Sequence, residues 1–201
     1  MSQDAEQVLV VPRALFETLG SFQGLNQDVN HYLATLLDPS NNFFMDRADA
    51  EEDPSYKQLI PYALFHHAGS FLHYYRGKSG GESRLHARGS IGVGGHINPV
   101  DRRADPLGRD TYLAAVEREL TEELMMSGTH TNEPIAILND DSSEVGKVHL
   151  GIVHLIELTD RKVESNEDAL SDLSFKSVEE LKTTAYQALE GWSQCCVDSL
   201  L

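Results

Sequence analysis

The segment from Asp110 to Met126 constrains this chain more than any other. Leu113, Val116, Leu120 and Leu124 recur at three- and four-residue intervals, which predicts an amphipathic helix burying one stripe, with Asp110 as its N-cap. On that helix Glu119, Glu122 and Glu123 fall within an arc of ~100°, centred ~110° from the stripe, with Glu123 nearest it. Like charges at these spacings cost roughly 0.2–0.5 kcal/mol per pair, and acidic groups near a helix C-terminus oppose the macrodipole. Arg118 points ~90° from the centre of the cluster, so it braces one edge without neutralising three carboxylates. A cation from elsewhere has to compensate. Oxygen ligands of this hardness suit Mg2+ or Mn2+, with water and phosphate completing the shell. On a fully solvated face the same charges would need no metal.

Composition narrows the partners. With 201 residues the chain suits one buried domain with decoration rather than two independent cores. Its 32 acidic against 16 basic residues give a formal net charge of −16, which argues against duplex nucleic acid and anionic membrane surfaces. A small anionic substrate would be repelled too, unless a bound cation and local Arg or Lys residues reverse the field within the site. No apolar run approaches the ~18 residues of a spanning helix, and the first residues carry no basic leader. Cys195 and Cys196 are adjacent and cannot staple distant segments, which fits a reducing, cytoplasmic setting.

Along the chain, Gln7 to Val11 reads as a strand, Ala14 to Leu19 and Asp28 to Leu37 as helices, and Asp38 to Tyr56 as an aperiodic acidic boundary. Leu59 to His67 and Ser70 to Arg76 read as a hairpin turning at Ala68-Gly69. Arg84 to Ile97 is extended and ends in Gly94-Gly95-His96. Ile135 to Leu138 and Val148 to Leu158 read as strands, the second a central one. Ser177 and Glu180 have the capping-box form, and Tyr186, Leu189, Cys196 and Leu200 mark a final amphipathic helix.

These residues resemble the Nudix box, whose pattern is Gly, five positions, Glu, seven positions, then Arg-Glu-U-x-Glu-Glu-x-Gly-U, with U aliphatic. Arg118-Glu119-Leu120-Thr121-Glu122-Glu123 matches without a gap, Asp110 stands eight positions before Arg118, and Gly94-Gly95-His96 precedes both. There are three departures. Fourteen residues rather than five separate Gly95 from Asp110, which makes Asn98 to Arg109 an insertion at the mouth of the site. Asp110 in place of Glu shortens a side chain that in the family helps hold the box together. Met125 stands where the family has Gly, while Ser127-Gly128 offers a later stop, which predicts a helix longer by most of a turn.

The resemblance is strict over residues 94–126 and looser from Leu59 to Leu200. It implies an α/β (α+β) fold, an α/β/α sandwich with a mixed β-sheet, as a Nudix hydrolase domain over 58–201 behind an N-terminal extension over 1–57. It implies a pyrophosphohydrolase, with Mg2+-assisted attack of water on a phosphoanhydride: a nucleoside diphosphate linked to another group, or a related pyrophosphate. Glu122 and Glu123 would be the principal metal ligands, the Gly95 carbonyl a further one, and Arg118 the lock on the glutamates. Glu119 is either another ligand or the group that orients and deprotonates water. Some members draw a base from a later loop, for which Glu164, Glu167 and Asp168 are candidates; the competing reading is an ordinary acidic surface loop.

Phosphate contacts fall to Arg76, Arg84 and Arg88, since guanidinium groups suit phosphate oxygens, although solvated surface arginines would need no explanation. His96, beside Gly95, is a candidate substrate contact. His154 reads as a hydrogen-bonded core residue, and Trp192, Tyr74 and Tyr75 as core packing. Two other functions compete. One is a non-catalytic Nudix-fold sensor of a nucleotide or ADP-ribose-like ligand, which the three retained carboxylates disfavour. The other is an isoprenoid diphosphate isomerase, which would want a histidine-rich metal site and a cysteine near the substrate. A homodimer is compatible with either.

Overall fold

Val8 to Val11 are all buried to 1% exposure or less, so both faces of their strand are covered. Strand β1 (Gln7–Pro12) pairs antiparallel with β3 (Phe43–Asp46), Val8 opposite Met45, and with β4 (Tyr56–His67), Val10 opposite Gln58. The computed structural model describes residues 6–76, 88–103, 108–166 and 170–201. Those residues divide into two units. One comprises the described parts of Met1–Pro61, Gly94–Arg118 and Ile135–Val153; the other, those of Tyr62–Val93, Glu119–Pro134 and His154–Leu201.

In the first unit, helix α1 (Arg13–Thr18) follows β1 directly, and helix α2 (Val29–Leu36) buries Val29, Tyr32, Leu33 and Leu36, the spacing of one helical face. Phe16, Phe22 and Tyr32 meet edge to face or tilted, with centroids 5.4 to 6.1 Å apart. Between them, β2 (Gly24–Asn26) pairs with the end of β9 (His130–Asn139), Leu25 opposite Leu138. The stretch from Asp38 to Tyr56, expected to be aperiodic, contains β3 and helix α3 (Arg47–Glu52). Its order is tertiary: β3 borrows its ladder from β1, and Ala50 and Met45 pack with Val8, Val10 and Tyr56. Short elements held by distant partners leave little periodicity to read.

The same unit holds a charge cluster around a buried lysine. Lys57 is 0% exposed, and its ammonium donates to Asp141 Oδ1 at 2.8 Å and to the carbonyls of Gly146 and His149 at 3.1 Å each. Arg13 and Gln23 also donate to the Asp141 carboxylate.

The second unit is built on the expected hairpin. Strand β4 turns into β5 (Ser70–Arg76) through Ala68 and Gly69, at φ 47° and 77°, the two positive values that a type I′ turn requires. On β5 pair β6 (Gly89–Ser90), Tyr74 opposite Ser90, and β12 (Leu170–Ser177), whose register slips between Ser171 and Ser174 where Asp172 takes φ 54°. Strand β7 (Gly92–Gly94) follows β6.

The sheet is mixed, as expected. Strand β10 (His149–Leu158) neighbours β4, and the partners along the pair, Gln58 with Val148, His66 with Glu157 and His67 with Leu158, keep a nearly constant sequence separation. Only parallel strands do that. No helix among the described residues is long and apolar enough to cross a membrane.

Helix α4 (Arg109–Glu123) departs from expectation at its end. It stops at Glu123, and Leu124–Met126 forms strand β8, paired with β11 (Val163–Ser165), instead of extending the helix. Asn166 supplies the stop: its N–H donates to the Glu123 carbonyl at 2.9 Å and its side-chain amide to the Thr121 carbonyl at 3.3 Å, covering carbonyls that another turn would have used. The C-terminal region is likewise broken rather than one helix. Helix α6 (Val178–Lys182) opens on the expected Ser177/Glu180 capping box, a 3-10 turn spans Tyr186–Ala188, and helix α7 (Gly191–Leu200) follows.

Candidate functional site

The buried face of α4 is not the expected stripe. Tyr112, Ala115, Val116 and Leu120 are at most 2% exposed, whereas Leu113 is 39% exposed. At ~100° per residue, Glu119 and Glu123 lie at the centre of that buried arc, and both are half-buried; Glu122, at its flank, is exposed. The helix therefore turns two of the three glutamates of the Arg118-to-Glu123 run inward. Carboxylates in such a place need partners or a cation.

Among the described residues no group of three or more His, Cys, Asp or Glu side chains is gathered closely enough to hold a metal. The donors are nevertheless of the right kind: oxygen only, on successive turns of one helix, which suits a hard cation that takes most of its shell from water and phosphate.

In the second unit, Arg76 at the end of β5 is bound on one side to Glu190, Nε to Oε2 at 2.8 Å and Nη2 to Oε1 at 3.2 Å. The Arg76 guanidinium carbon sits 5.9 Å from the centre of the Tyr74 ring. Burial raises the Tyr74 hydroxyl to about 12; Arg76 opposes that rise, and Glu190 and Glu123 add to it, so Arg76 and Glu123 act on the same hydroxyl. Arg88 is exposed, and its carbonyl accepts from the Arg76 N–H at 3.0 Å. Glu164 is exposed in β11, opposite Met125. Arg84, Glu167 and Asp168 lie outside the described residues.

In the first unit, Arg118 donates through Nε to Asp101 Oδ1 at 2.7 Å, and through Nη2 to Asp101 Oδ2 and the His96 carbonyl at 2.9 Å each. Asp101 Oδ2 also accepts from the Asn98 N–H at 2.8 Å, closing the capping box of the 3-10 turn Pro99–Asp101. The His96 ring lies 5.8 Å from that of His149; burial lowers its pKa to about 3, Arg47 and His149 adding to the shift, so the imidazole is neutral. His154 is 1% exposed and donates through Nδ1 to Asn132 Oδ1 at 2.6 Å, as a core histidine should. Tyr74 is core, at 1% exposure.

No family model matches the chain. It is 36% identical to Protein YmaB of Bacillus subtilis over 208 aligned residues that take in the whole of both proteins. The crystal structure of Tm1382, described as a candidate Nudix hydrolase, covers 98% of each chain at a TM-score of 0.79 and 29% identity. The chain has the fold of the Nudix hydrolases. A more distant likeness, to the Nudix domain of Shewanella oneidensis NrtR solved with ADP ribose, has a TM-score of 0.54 at 13% identity, over 77% of this chain and 96% of that one, and shows the fold alone.

The structure corrects the register of the Nudix box. Arg118 pairs with Asp101, which is separated from Gly95 by five residues as the pattern asks, while Asp110 is exposed in the first turn of α4. The insertion thus occupies part of residues 102–117, between the acid and the arginine, and does not separate Gly95 from the acid. A Gly-x5-Asp spacing was available in the sequence. It was hidden because Asp110 also lies at a spacing the pattern allows. Glu190 was missed altogether, since nothing local marks a carboxylate whose arginine lies 114 residues away.

Proposed function

We propose that this Nudix-fold chain is a Mg2+- or Mn2+-dependent pyrophosphohydrolase acting on a small phosphoanhydride, a nucleoside diphosphate linked to another group or a related pyrophosphate. The observation that carries the reading is the placement of Glu119 and Glu123 on the inward face of α4. A divalent cation, when bound, would neutralise the charge developing on the phosphate oxygens and sharpen a water as nucleophile. Glu122 and Glu123 are the residues to hold it, and the family pattern adds the Gly95 carbonyl. Glu119 has two roles open to it, further ligand or water-orienting base, and Glu164 and Glu167 are the candidates for a base from the later loop. Arg118, through Asp101 and the His96 carbonyl, fixes the turn after Gly95.

Arg76, Arg84 and Arg88 are proposed to meet substrate phosphates, and His96, as a neutral imidazole, to donate or accept a hydrogen bond at the substrate. Cys195 and Cys196, neither of them in a disulfide, suit a reducing cytoplasm.

The test is incubation with Mg2+ or Mn2+ and a panel of nucleoside triphosphates, dinucleoside polyphosphates, nucleotide sugars and dinucleotide cofactors, with products identified by mass. Metal-dependent cleavage of one class, lost in Glu123→Gln, is the expected result. Turnover in Glu123→Gln within a few-fold of the parent would remove the assignment. Ligand-induced stabilisation with no product from any substrate would replace the enzyme by a sensor.

A further inference from the structure

Glu190, at the start of α7, is 4% exposed and carries a dense set of donors. Besides the two bonds from Arg76, its Oε1 accepts from the Ser90 hydroxyl at 2.7 Å and the Tyr62 hydroxyl at 3.0 Å. Its own N–H donates to the Gly89 carbonyl at 2.8 Å. Burying an ion pair seldom adds stability over an apolar pair of the same volume, so stability alone does not account for this one.

The geometry of the pair supplies another role. Arg76 meets Glu190 side-on, through Nε and Nη2. A guanidinium held in that way presents its other edge, Nη1 with the outer hydrogen of Nη2, as a second two-donor fork of the shape that matches a phosphate. The Arg76 side chain keeps 27% exposure, and the Tyr74 ring beneath it limits how it can swing. Arg76 and the Glu123 carboxylate both lie within electrostatic reach of the Tyr74 hydroxyl.

We propose that Glu190 is a positioning residue that holds the Arg76 guanidinium with its free fork toward a substrate phosphate, beside the glutamates that end α4. The proposal rests on the phosphoanhydride reading above. It adds a residue from the last helix that acts through Arg76 and not on the substrate itself.

The test titrates α,β-methylene-ADP, a phosphoanhydride mimic that resists hydrolysis, into the parent, Arg76→Ala, Glu190→Gln and the double variant, with Mg2+ present and thermal melts recorded alongside. Each single variant should bind about tenfold or more weakly, and the double variant no worse than Arg76→Ala, because the two residues act as one unit. Added guanidinium ion should restore binding to Arg76→Ala and not to the double variant. Arg76→Lys keeps a cation beside the buried carboxylate and loses only the fork. It should bind as weakly as Arg76→Ala, and it carries the test if Glu190→Gln does not fold. Parental affinity in Glu190→Gln, in Arg76→Ala or in Arg76→Lys would overturn the proposal. A parent that does not bind the probe, by contrast, would overturn the functional reading on which it rests.

Discussion

Arg118 clasps Asp101 with two parallel bonds, Nε to Oδ1 at 2.7 Å and Nη2 to Oδ2 at 2.9 Å, and leaves the acid 2% exposed. Asp101→Ala removes the partner of a guanidinium that is itself only 20% exposed and also opens the capping box at Asn98. The expected loss is roughly 1.5–3 kcal/mol of unfolding free energy, the usual range for a charge-assisted bond. Asp110→Ala, at an exposed position, should stay within about 0.5 kcal/mol of the parent. Urea unfolding of both variants decides between the two box registers, and equal losses would rule out Asp101 as the box acid.

The contrast between these two acids shows what the sequence could carry. Helix α4 and the Arg118-to-Glu123 run were legible because period and motif are local. The rotation of the helix was not, because Leu113 and Tyr112 are both able to pack, and only the neighbours decide that Tyr112 is inside. The hairpin at Ala68-Gly69 was legible for the reason α4 was. Strands β8 and β11 were not: three residues opposite three residues form a ladder only once the chain has returned. Asp101 and Glu190 belong to the same class, each recognisable by its arginine and not by its own surroundings in sequence.

Asp141 gives a prediction in pH. Burial alone would raise its carboxyl, but the hydrogen bonds from Arg13 and Lys57, with the charge of Lys57, hold it well below the usual carboxylate range. A carboxylate lowered on folding contributes stability above its unfolded value of about 4 and loses it as the pH falls toward the folded value. Asp141→Asn should therefore cost roughly 1.5–3 kcal/mol at neutral pH. The difference from the parent should shrink as the pH falls below the unfolded value. Denaturant midpoints recorded across that range would refute the assignment if the gap stayed constant.

His73 has the opposite chemistry and a different pH window. Its ring is 0% exposed, neither nitrogen has a hydrogen-bond partner, and burial lowers its pKa to about 4, with Lys176 adding to the shift. A base lowered on folding leaves stability intact above the unfolded value of about 6.5, and stability falls as the pH drops from there toward the folded value. His154, lowered to about 4 by burial, adds a slope of the same sign. In His73→Leu, which replaces two unpaired nitrogens by apolar atoms, the fall in melting temperature across this window should be shallower than in the parent. An unchanged slope would mean that His73 does not titrate with unfolding.

Gly92 and Tyr62 make the sharpest packing prediction. A Cβ at Gly92 would stand 2.1 Å from the Tyr62 ring. Something must move, and the ring is poorly placed to do so. It is 2% exposed, Trp192 packs against it edge to face at 5.4 Å, and its hydroxyl bonds Glu190 at 3.0 Å and Ser193 at 2.8 Å. The Gly92 carbonyl is itself held by the Tyr74 hydroxyl at 2.7 Å, so the backbone is no freer than the ring. Gly92→Ala should thus destabilise by at least the ~1–3 kcal/mol typical of overpacking, well beyond the cost of a methyl group on an open surface. Tyr62→Leu should lose stability through its hydrogen bonds and its ring. If the clash is the cause, however, the double variant must lose less than the sum of the two single ones. Additive losses in thermal melts would show that Gly92 is needed for some reason other than the Tyr62 ring.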